Sequence, residues 1–462
     1  MPDSSLPDHQ RAWLASEGPR DAGARKISLR KLLAGLDRHE SALLDALNSD
    51  LGKSPIQAYT SEIHLVRQEI GHALKHLKGW MKPLRRKVPA LAWPGRAEVQ
   101  RDPCGSVLII GPWNYPVQLV LTPLAGVLAA GSCAVIKPSE HAPATSAAIA
   151  TLVADSFEPG EVCVVEGGSE RARGLAAAPF DHIFFTGGTG TGRKIAAVAG
   201  ENLVPVTLEL GGKCPVLLFP AASELDRTLK SLDVIARRIA WGKYLNAGQT
   251  CVAPDHVLVD RPLADPLMEA LGRAFDSFGR EDLGRIVNRS HFDRLIAYLD
   301  EGCIRHGGKH NSANLIIEPT IVTDLPPDAS LLQEEIFGPI LPVIPYDGLE
   351  QTLGALEPLP TPLALYAFTC DPATQHLITA RTKSGSLCFN DTVVQITGPM
   401  LPFGGLGPSG MGRYRGQVSF ETFTRERSVM NRRVWPDLPF RYPPSNIPLE
   451  KLRRFLKRFV ES

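Results

Sequence analysis

The sequence has almost no net charge: 50 basic residues against 49 acidic ones leave a formal +1 over 462 residues. That balance excludes a global field that would recruit nucleic acid or an acidic partner, so any basic function must be local. Its 8 cysteines form no C-x-x-C pair and show no metal-ligand spacing with the 12 histidines. This argues against a disulfide frame and against a metal centre, and for reduced thiols in a cytoplasmic compartment. The N-terminus, with Asp3 and Asp8, has no apolar core, so no secretory signal is expected there. The uncharged segment from Cys104 to Ile136 is broken by Gly111-Pro112, Pro116, Pro123, Gly126 and Gly131, which a lipid-facing helix tolerates poorly. A buried strand, loop, helix and strand is expected there instead.

What is present is an ordinary globular composition, 44% hydrophobic, long enough for two or three domains. Residues 24 to 48 read as a helix. A second helix follows Pro55, with Tyr59, Ile63, Val66, Ile70, Ala73 and Leu77 along one side. The basic, proline-containing stretch from Lys82 to Arg96 reads as an exposed arm or linker. Later candidate helices are Asp226 to Tyr244, Pro262 to Phe278 and His291 to Arg305. Later candidate strands are Leu315 to Ile317, Ile340 to Ile344, Tyr366 to Thr369 and Ser386 to Phe389.

The chemistry concentrates at strand ends. Tyr244-Leu-Asn-Ala-Gly-Gln-Thr-Cys-Val-Ala-Pro254 displays Cys251 on a small-residue loop after an amphipathic helix, an arrangement that suits a nucleophilic thiol as well as a structural one. The strand Val107–Ile110 runs into Gly111-Pro-Trp-Asn-Tyr-Pro116, where Asn114 can cap the following helix or donate its amide to a developing oxyanion. After Cys133–Ile136 come Lys137 and Glu140, placed where α/β folds bind ligands; they are either ribose partners or solvated charges. His182–Phe185 leads into Thr186-Gly-Gly-Thr-Gly-Thr-Gly192 and a helix, a phosphate-cradling arrangement or a plain glycine turn. The strand Val204–Leu210 delivers Glu209 between leucines, where burial would raise its pKa toward a base's working range. Gln333–Pro339 and Leu401–Gly410 are glycine-containing loops with one aromatic each, able to wall a flat ligand.

Gly111-Pro-Trp-Asn, Lys137-Pro-Ser-Glu, Phe185-Thr-Gly-Gly-Thr, Glu209-Leu-Gly-Gly-Lys, Gly248-Gln-Thr-Cys, Glu335-Ile-Phe-Gly-Pro and Pro402-Phe-Gly-Gly occur in one order. Through them the chain resembles the NAD(P)-dependent aldehyde dehydrogenase superfamily over roughly residues 25 to 445. Trp80-Met-Lys-Pro83 and Arg441-Tyr-Pro-Pro444 look most like its class 3 branch, which includes fatty and aromatic aldehyde enzymes. The resemblance implies an α/β fold with a Rossmann-type cofactor domain (1–81 and 101–208), an α/β catalytic domain (209–412), and a bridging arm for oligomerisation (82–100 and 413–440). It implies Cys251 as nucleophile, Asn114 with the Cys251 backbone N–H at the oxyanion, and Glu209 as general base. It places Lys137 and Glu140 at the adenosine ribose, and Thr186, Gly187, Gly188 and Gly192 beside the pyrophosphate. Glu335 falls at the nicotinamide ribose, and Phe337 and Phe403 around nicotinamide or substrate; from the residues themselves, Tyr115, Trp241 and the apolar neighbours of Cys251 suggest an apolar substrate funnel. Glu209 favours release of a free acid over transfer to coenzyme A. Glu140 favours NAD, since a carboxylate on the ribose repels a 2′-phosphate, although class 3 relatives sometimes accept NADP. The branch also suggests a homodimer.

Two features depart from the family pattern. The segment between Lys213 and Tyr244 is longer by about two helical turns, which suggests a surface insertion near Pro220–Asp226. The tail, residues 445–462, alternates Ile447, Leu449, Leu452, Phe455, Leu456, Phe459 and Val460 with Lys451, Arg453, Arg454, Lys457 and Arg458. Such a helix can lie on an anionic membrane surface, or dock on its own protein or a second subunit. The rival function is a nucleotide-binding structural or regulatory protein of the same fold; a thiol hydrolase would need a histidine beside Cys251.

Overall fold

The apolar run Val107–Ile110 lies at the middle of a sheet covered on both faces, as continuous apolar strands require. In the computed structural model, which describes residues 3–88, 92, 94–280, 282–435, 437, 442–443 and 447–460, this strand spans Ser106–Ile110. It lies between Cys133–Lys137 and His182–Thr186; Val162–Val164 adds beyond the first and Val206–Glu209 beyond the second, all parallel. Gly410–Met411 closes one edge antiparallel, with Gly410 opposite Glu209. Lys137, Thr186 and Glu209 therefore all emerge at carboxyl ends of one sheet, the side on which open α/β sheets hold ligands.

A second sheet runs, in spatial order, Cys303–His306, Thr320–Thr323, Ile340–Tyr346, His256–Asp260, Pro215–Leu218, Ala364–Ala367 and Ser386–Phe389. Only Cys303–His306 is antiparallel to its neighbour. Leu84–Arg86, Gly95–Pro103 and Thr424–Arg432 form a separate antiparallel ribbon.

The helix predicted over 24–48 spans Ala22–Leu51, capped by Asp21, whose side chain accepts from the Ala24 N–H, and ended by Gly52 in the left-handed region. The helix after Pro55 is interrupted by a π-helical turn at Tyr59–Ile63 before continuing as His64–Trp80. The Gln118–Ala130 helix is buried along its whole length, which explains why no charge interrupts its sequence. Gly111 lets the preceding loop close onto it: a Cβ there would fall 2.2 Å from Val120 Cγ2.

Several predicted elements change. The helix begun at His291 spans Arg289–Tyr298 and stops short of Arg305, because Cys303–His306 is a strand paired with Thr320–Thr323. Gly302 makes that change of direction, for a Cβ there would meet Thr323 O at 2.7 Å. The Asp226–Tyr244 helix is broken at Ser231 into Leu225–Lys230 and Leu232–Tyr244. The strand expected at Tyr366–Thr369 spans Ala364–Ala367, its register set by Ser386–Phe389, although the Phe368 N–H still donates to Leu217 O at 2.9 Å. The arm read as a linker contains Leu84–Arg86 and the start of Gly95–Pro103. The polar N-terminus holds a helix, Leu6–Glu17, whose buried Gln10 donates to Ala134 O at 2.8 Å. The tail forms the helix Leu449–Val460. Among the described residues no helix is long and apolar enough to cross a membrane. Arg441 and Pro444 of the class 3 signature, arm residues 89–91, 93, 436 and 438–440, and tail residues 445–446 and 461–462 lie outside the described residues.

Leu124 is fully buried within the Gln118–Ala130 helix. Leu124→Ala is expected to destabilise the protein by about 2–5 kcal/mol, the usual range for a core leucine truncation. The urea midpoint followed by far-ultraviolet circular dichroism checks this, and an unchanged midpoint contradicts it.

Candidate active site

Cys251 lies on a loop held in an unusual conformation. Asn246, Ala247 and Gly248 have φ of 53°, 52° and 72°, three consecutive residues in the left-handed region. Two of them carry side chains, so the turn persists only because its surroundings determine it. The determinant is Gln249, fully buried. Its Nε2 donates to Asn246 O and to Arg285 O, both at 3.0 Å, and its Oε1 accepts from the Val287 N–H at 3.0 Å. Gly248 admits no side chain, since a Cβ would lie 2.1 Å from Gly338 O. The Cys251 carbonyl accepts from Cys214 Sγ at 3.3 Å. Burial pushes the Cys251 thiol up to about 12, with the Glu335 and Glu209 carboxylates adding to the shift and Arg415 opposing it.

Asn114 does not cap the Gln118–Ala130 helix. The Val117 and Gln118 N–H groups donate to Glu62 Oε2 instead, at 2.8 and 3.1 Å. The Asn114 side chain is turned to the cysteine loop, where Nδ2 donates to Gln249 O at 3.0 Å. One amide hydrogen remains for another acceptor.

Glu209 ends its strand 3% exposed, and neither carboxylate oxygen has a hydrogen-bond partner. Burial raises its pKa well above the usual carboxylate range, against the opposing charges of Arg415 and Arg413. The Glu335 carboxylate folds onto Gly211, where a Cβ would fall 2.0 Å from Oε2. Burial pushes it up to about 7, the Gly212 backbone N–H pulling the other way. Its backbone is clamped: Arg294 Nη2 donates to Ile336 O at 2.9 Å, and Lys213 Nζ donates to Glu334 O at 2.8 Å. Asp255 completes the clamp, accepting from the Ile336 N–H at 3.0 Å and from Lys213 Nζ at 2.5 Å.

Cys251, Asn114, Glu209, Glu335, Phe337 and the Thr186–Gly188 turn line one cavity of about 330 Å³. Phe337, at φ 48°, meets the Trp113 ring edge-on, centroids 5.4 Å apart. Other candidate residues lie off this cavity. Lys137 Nζ pairs with Glu140 Oε2 at 2.5 Å. Burial pushes Glu140 up, but the Lys137 hydrogen bond prevails and holds it below the usual value. Gly192 packs beneath Leu210, where a Cβ would lie 2.5 Å from Cδ2. Tyr115 is buried with its hydroxyl 2.7 Å from Thr250 Oγ1, and Phe403 is buried edge-on to Tyr414 at 5.7 Å. Neither lines the cavity. Of the residues that sequence reasoning missed, His291 and Arg294 line the cavity, while Asp255, Lys213, Gln249 and the Lys53–Glu62 pair support it. Only Lys213 and Gln249 carried any signal, as letters inside recognised motifs.

A thiol, a carboxamide and two buried carboxylates gathered at the edge of a nucleotide-type parallel sheet define a thiol-bearing α/β oxidoreductase site. The family described as "Aldehyde dehydrogenase family" matches residues 10–429. The chain belongs to that family and is an oxidoreductase acting on aldehydes. It is 39% identical over 456 residues to the 4,4'-diaponeurosporen-aldehyde dehydrogenase of Staphylococcus aureus, covering 97% of each chain. It is 40% identical over 449 residues to aldehyde dehydrogenase family 3 member H1 of Arabidopsis thaliana, covering 95% of this chain and 90% of that one. Among solved structures, the substrate-bound state of a Staphylococcus aureus enzyme, AldH, superposes with a TM-score of 0.93 at 38% identity, covering 98% of this chain and 99% of that one. An indole-3-acetaldehyde dehydrogenase complexed with NAD+ gives a TM-score of 0.84 at 25% identity, covering 93% of this chain and 89% of that one.

Because the thiolate is the reactive form, alkylation of Cys251 in the free enzyme should rise about tenfold per pH unit from roughly pH 7 to 10 without levelling. Mass spectrometry of the Cys251 peptide after iodoacetamide treatment reads this separately from the exposed Cys303 and Cys370. A plateau near neutral pH contradicts it.

Proposed function

We propose that this enzyme oxidises apolar aldehydes, medium- or long-chain aliphatic or aromatic, to free carboxylic acids with NAD+. The observation that carries the reading is Glu209, buried with both oxygens unpartnered in the cavity that holds Cys251. An unpaired buried carboxylate is costly unless it serves chemistry, and a raised pKa suits it to take a proton from water.

The chain's own groups fit a dinucleotide. The Thr189–Glu201 helix begins after Gly188 with no side-chain cap. Thr186 Oγ1 is buried without a partner, and a Cβ at Gly188 or Gly190 would meet nothing. Such an uncapped start offers N–H groups and a positive dipole end to phosphate. In this reading Thr186, Gly187, Gly188 and Gly192 flank the pyrophosphate, Lys137 and Glu140 hold the adenosine ribose, and Glu335 and Phe337 face the nicotinamide end. The bound nicotinamide supplies the acceptor for the hydride. NADP is the second cofactor to compare, with Glu140 as the residue that disfavours it.

The Cys251 sulfur attacks the aldehyde carbon, and negative charge grows on the carbonyl oxygen. The second Asn114 amide hydrogen and the Cys251 backbone N–H stabilise that charge. Of the cavity's carboxylates Glu335 acts most strongly on the thiol, and in this reading it takes the thiol's proton, leaving Glu209 for the hydrolytic step. Once the aldehyde hydrogen has left, the acyl group remains on Cys251 as a thioester. Glu209 then deprotonates a water that hydrolyses it. The match to the 4,4'-diaponeurosporen-aldehyde dehydrogenase supports the apolar substrate class.

We assign residues 1–81 and 101–208 to the cofactor domain, 209–412 to the catalytic domain, and 82–100 with 413–440 to an arm that pairs two copies into a homodimer. The tail 445–462 gives a cytoplasmic protein peripheral contact with anionic membrane surfaces. The spacing of its apolar and basic residues on the Leu449–Val460 helix supports this.

Cys251→Ala should abolish NADH formation with every member of a panel from acetaldehyde through long alkyl aldehydes to benzaldehyde, and the panel should favour its apolar members. Glu209→Gln should keep a first-turnover burst of NADH while steady turnover falls about 10²–10⁴-fold, the usual worth of a general base. Stopped-flow absorbance distinguishes the two phases. A variant that turns over normally removes Glu209 from the mechanism.

A further inference from the structure

The cavity is supported from behind by a charge pair that does not face it. Lys53 and Glu62 both have fully buried side chains, with Nζ and Oε1 2.5 Å apart. Taking two charges out of water is costly, and a well-packed apolar pair would fill such a site at least as stably. Their other contacts explain what an apolar pair could not do. Lys53 Nζ also donates to Asn114 O at 2.9 Å and lies 4.1 Å from the centre of the Tyr115 ring. Glu62 Oε2 takes the Val117 and Gln118 N–H groups, which no other side chain caps. The five residues from Asn114 to Gln118 are thus held at one end by the cation and at the other by the anion of a single pair. Asn246 Nδ2 shares the Asn114 carbonyl at 2.9 Å, tying the same peptide to the cysteine loop. Glu62 belongs to the π-helical turn Tyr59–Ile63, an irregularity that is common at functional sites.

We propose that Lys53 and Glu62 are positioning residues for the reaction: together they fix the 114–118 backbone so that the Asn114 amide hydrogen not given to Gln249 is aimed at the substrate oxygen. This rests on the reading of Asn114 as an oxyanion donor. Lys53 Nζ gives the Asn114 carbonyl a donor from a position without access to water, and Glu62 Oε2 has the lone pairs to accept two adjacent backbone N–H groups. An error of about 1 Å in such a donor is enough to cost on the order of 10²-fold in rate.

The test is a cycle of variants in the intact enzyme, read as the single-turnover rate of NADH formation at saturating NAD+. Lys53→Met/Glu62→Gln removes both charges while the glutamine keeps an oxygen for the two N–H groups. The expected result is a rate lower by about 10- to 100-fold. The dissociation constant for NAD+ and the alkylation rate of Cys251 should stay within about twofold. In an Asn114→Ala background the same double substitution should add no more than about twofold, because the group it positions is gone. A parent-like rate in the double variant overturns the proposal. So does an equal loss in the Asn114→Ala background, which would make the pair a general structural support. If Asn114→Ala alone is as fast as the parent, the oxyanion reading fails first and the proposal falls with it. Should the double variant not fold, the near-isosteric Glu62→Gln carries the same cycle. A loss of about tenfold confined to the Asn114-containing background supports the proposal, and an unchanged rate counts against it.

Discussion

The hydrogen bonds around Gln249 are the constraint on which the site depends. Its side chain closes three backbone contacts, and its carbonyl accepts from both Asn114 Nδ2 and Asn246 Nδ2, at 3.0 and 3.2 Å. Each such bond contributes about 0.5–1.5 kcal/mol net, but leaving buried partners unmade costs more. One residue therefore sets the distance between thiol loop and carboxamide, and holds a turn in which Asn246 and Ala247 would not rest unaided.

Charge is arranged on a consistent rule. Buried and half-buried ions that support the site are satisfied: Lys213 and Asp255 bind each other and backbone groups, and so do Lys53 and Glu62. Asp255 is held well below the usual carboxylate range: burial opposes ionisation, but Lys213 and His256 outweigh it. The carboxylates that face the cavity are treated in the opposite way. Glu209 has no partner and Glu335 is pushed up to about 7. Pairing with a cation makes a carboxylate a fixed anion, whereas desolvation without such a partner raises its affinity for a proton.

The chemistry at strand ends was legible because both signals involved, apolar runs and glycine-rich turns, are local. Ser106–Ile110, His182–Thr186 and Val206–Glu209 could be read with Asn114, Thr186 and Glu209 attached to them. The role of Asn114 was not legible: its choice between capping and facing the cysteine loop is made by Glu62, 52 positions away from Asn114 in sequence but hydrogen-bonded to the helix start that Asn114 precedes. Arg294 was equally silent, since a lysine- or arginine-bearing helix face looks solvated until a backbone carbonyl such as Ile336 O is folded against it. The strand Cys303–His306 was mistaken for helix because its register comes from Thr320–Thr323, a partner that local periodicity does not contain. Tyr115 and Phe403 show the converse limit. Aromatics near a motif read as pocket walls, yet here both pack inward.

The close approach of Gly248 to Gly338 joins the two halves of the site. Gly248 precedes Cys251 by three positions and Gly338 follows Phe337, so backbone atoms of the thiol loop and of the Glu335–Phe337 loop touch without side chains between them. Both loops are also strained at a non-glycine residue, at Ala247 and at Phe337. Packed backbone of this kind transmits displacement because it has no soft rotamers to absorb it. The backbone of the thiol loop is thereby packed directly against that of the Glu335–Phe337 loop. The relative placement of the two loops is consequently set by the fold, and groups held in the right placement are the condition under which orientation lowers a barrier.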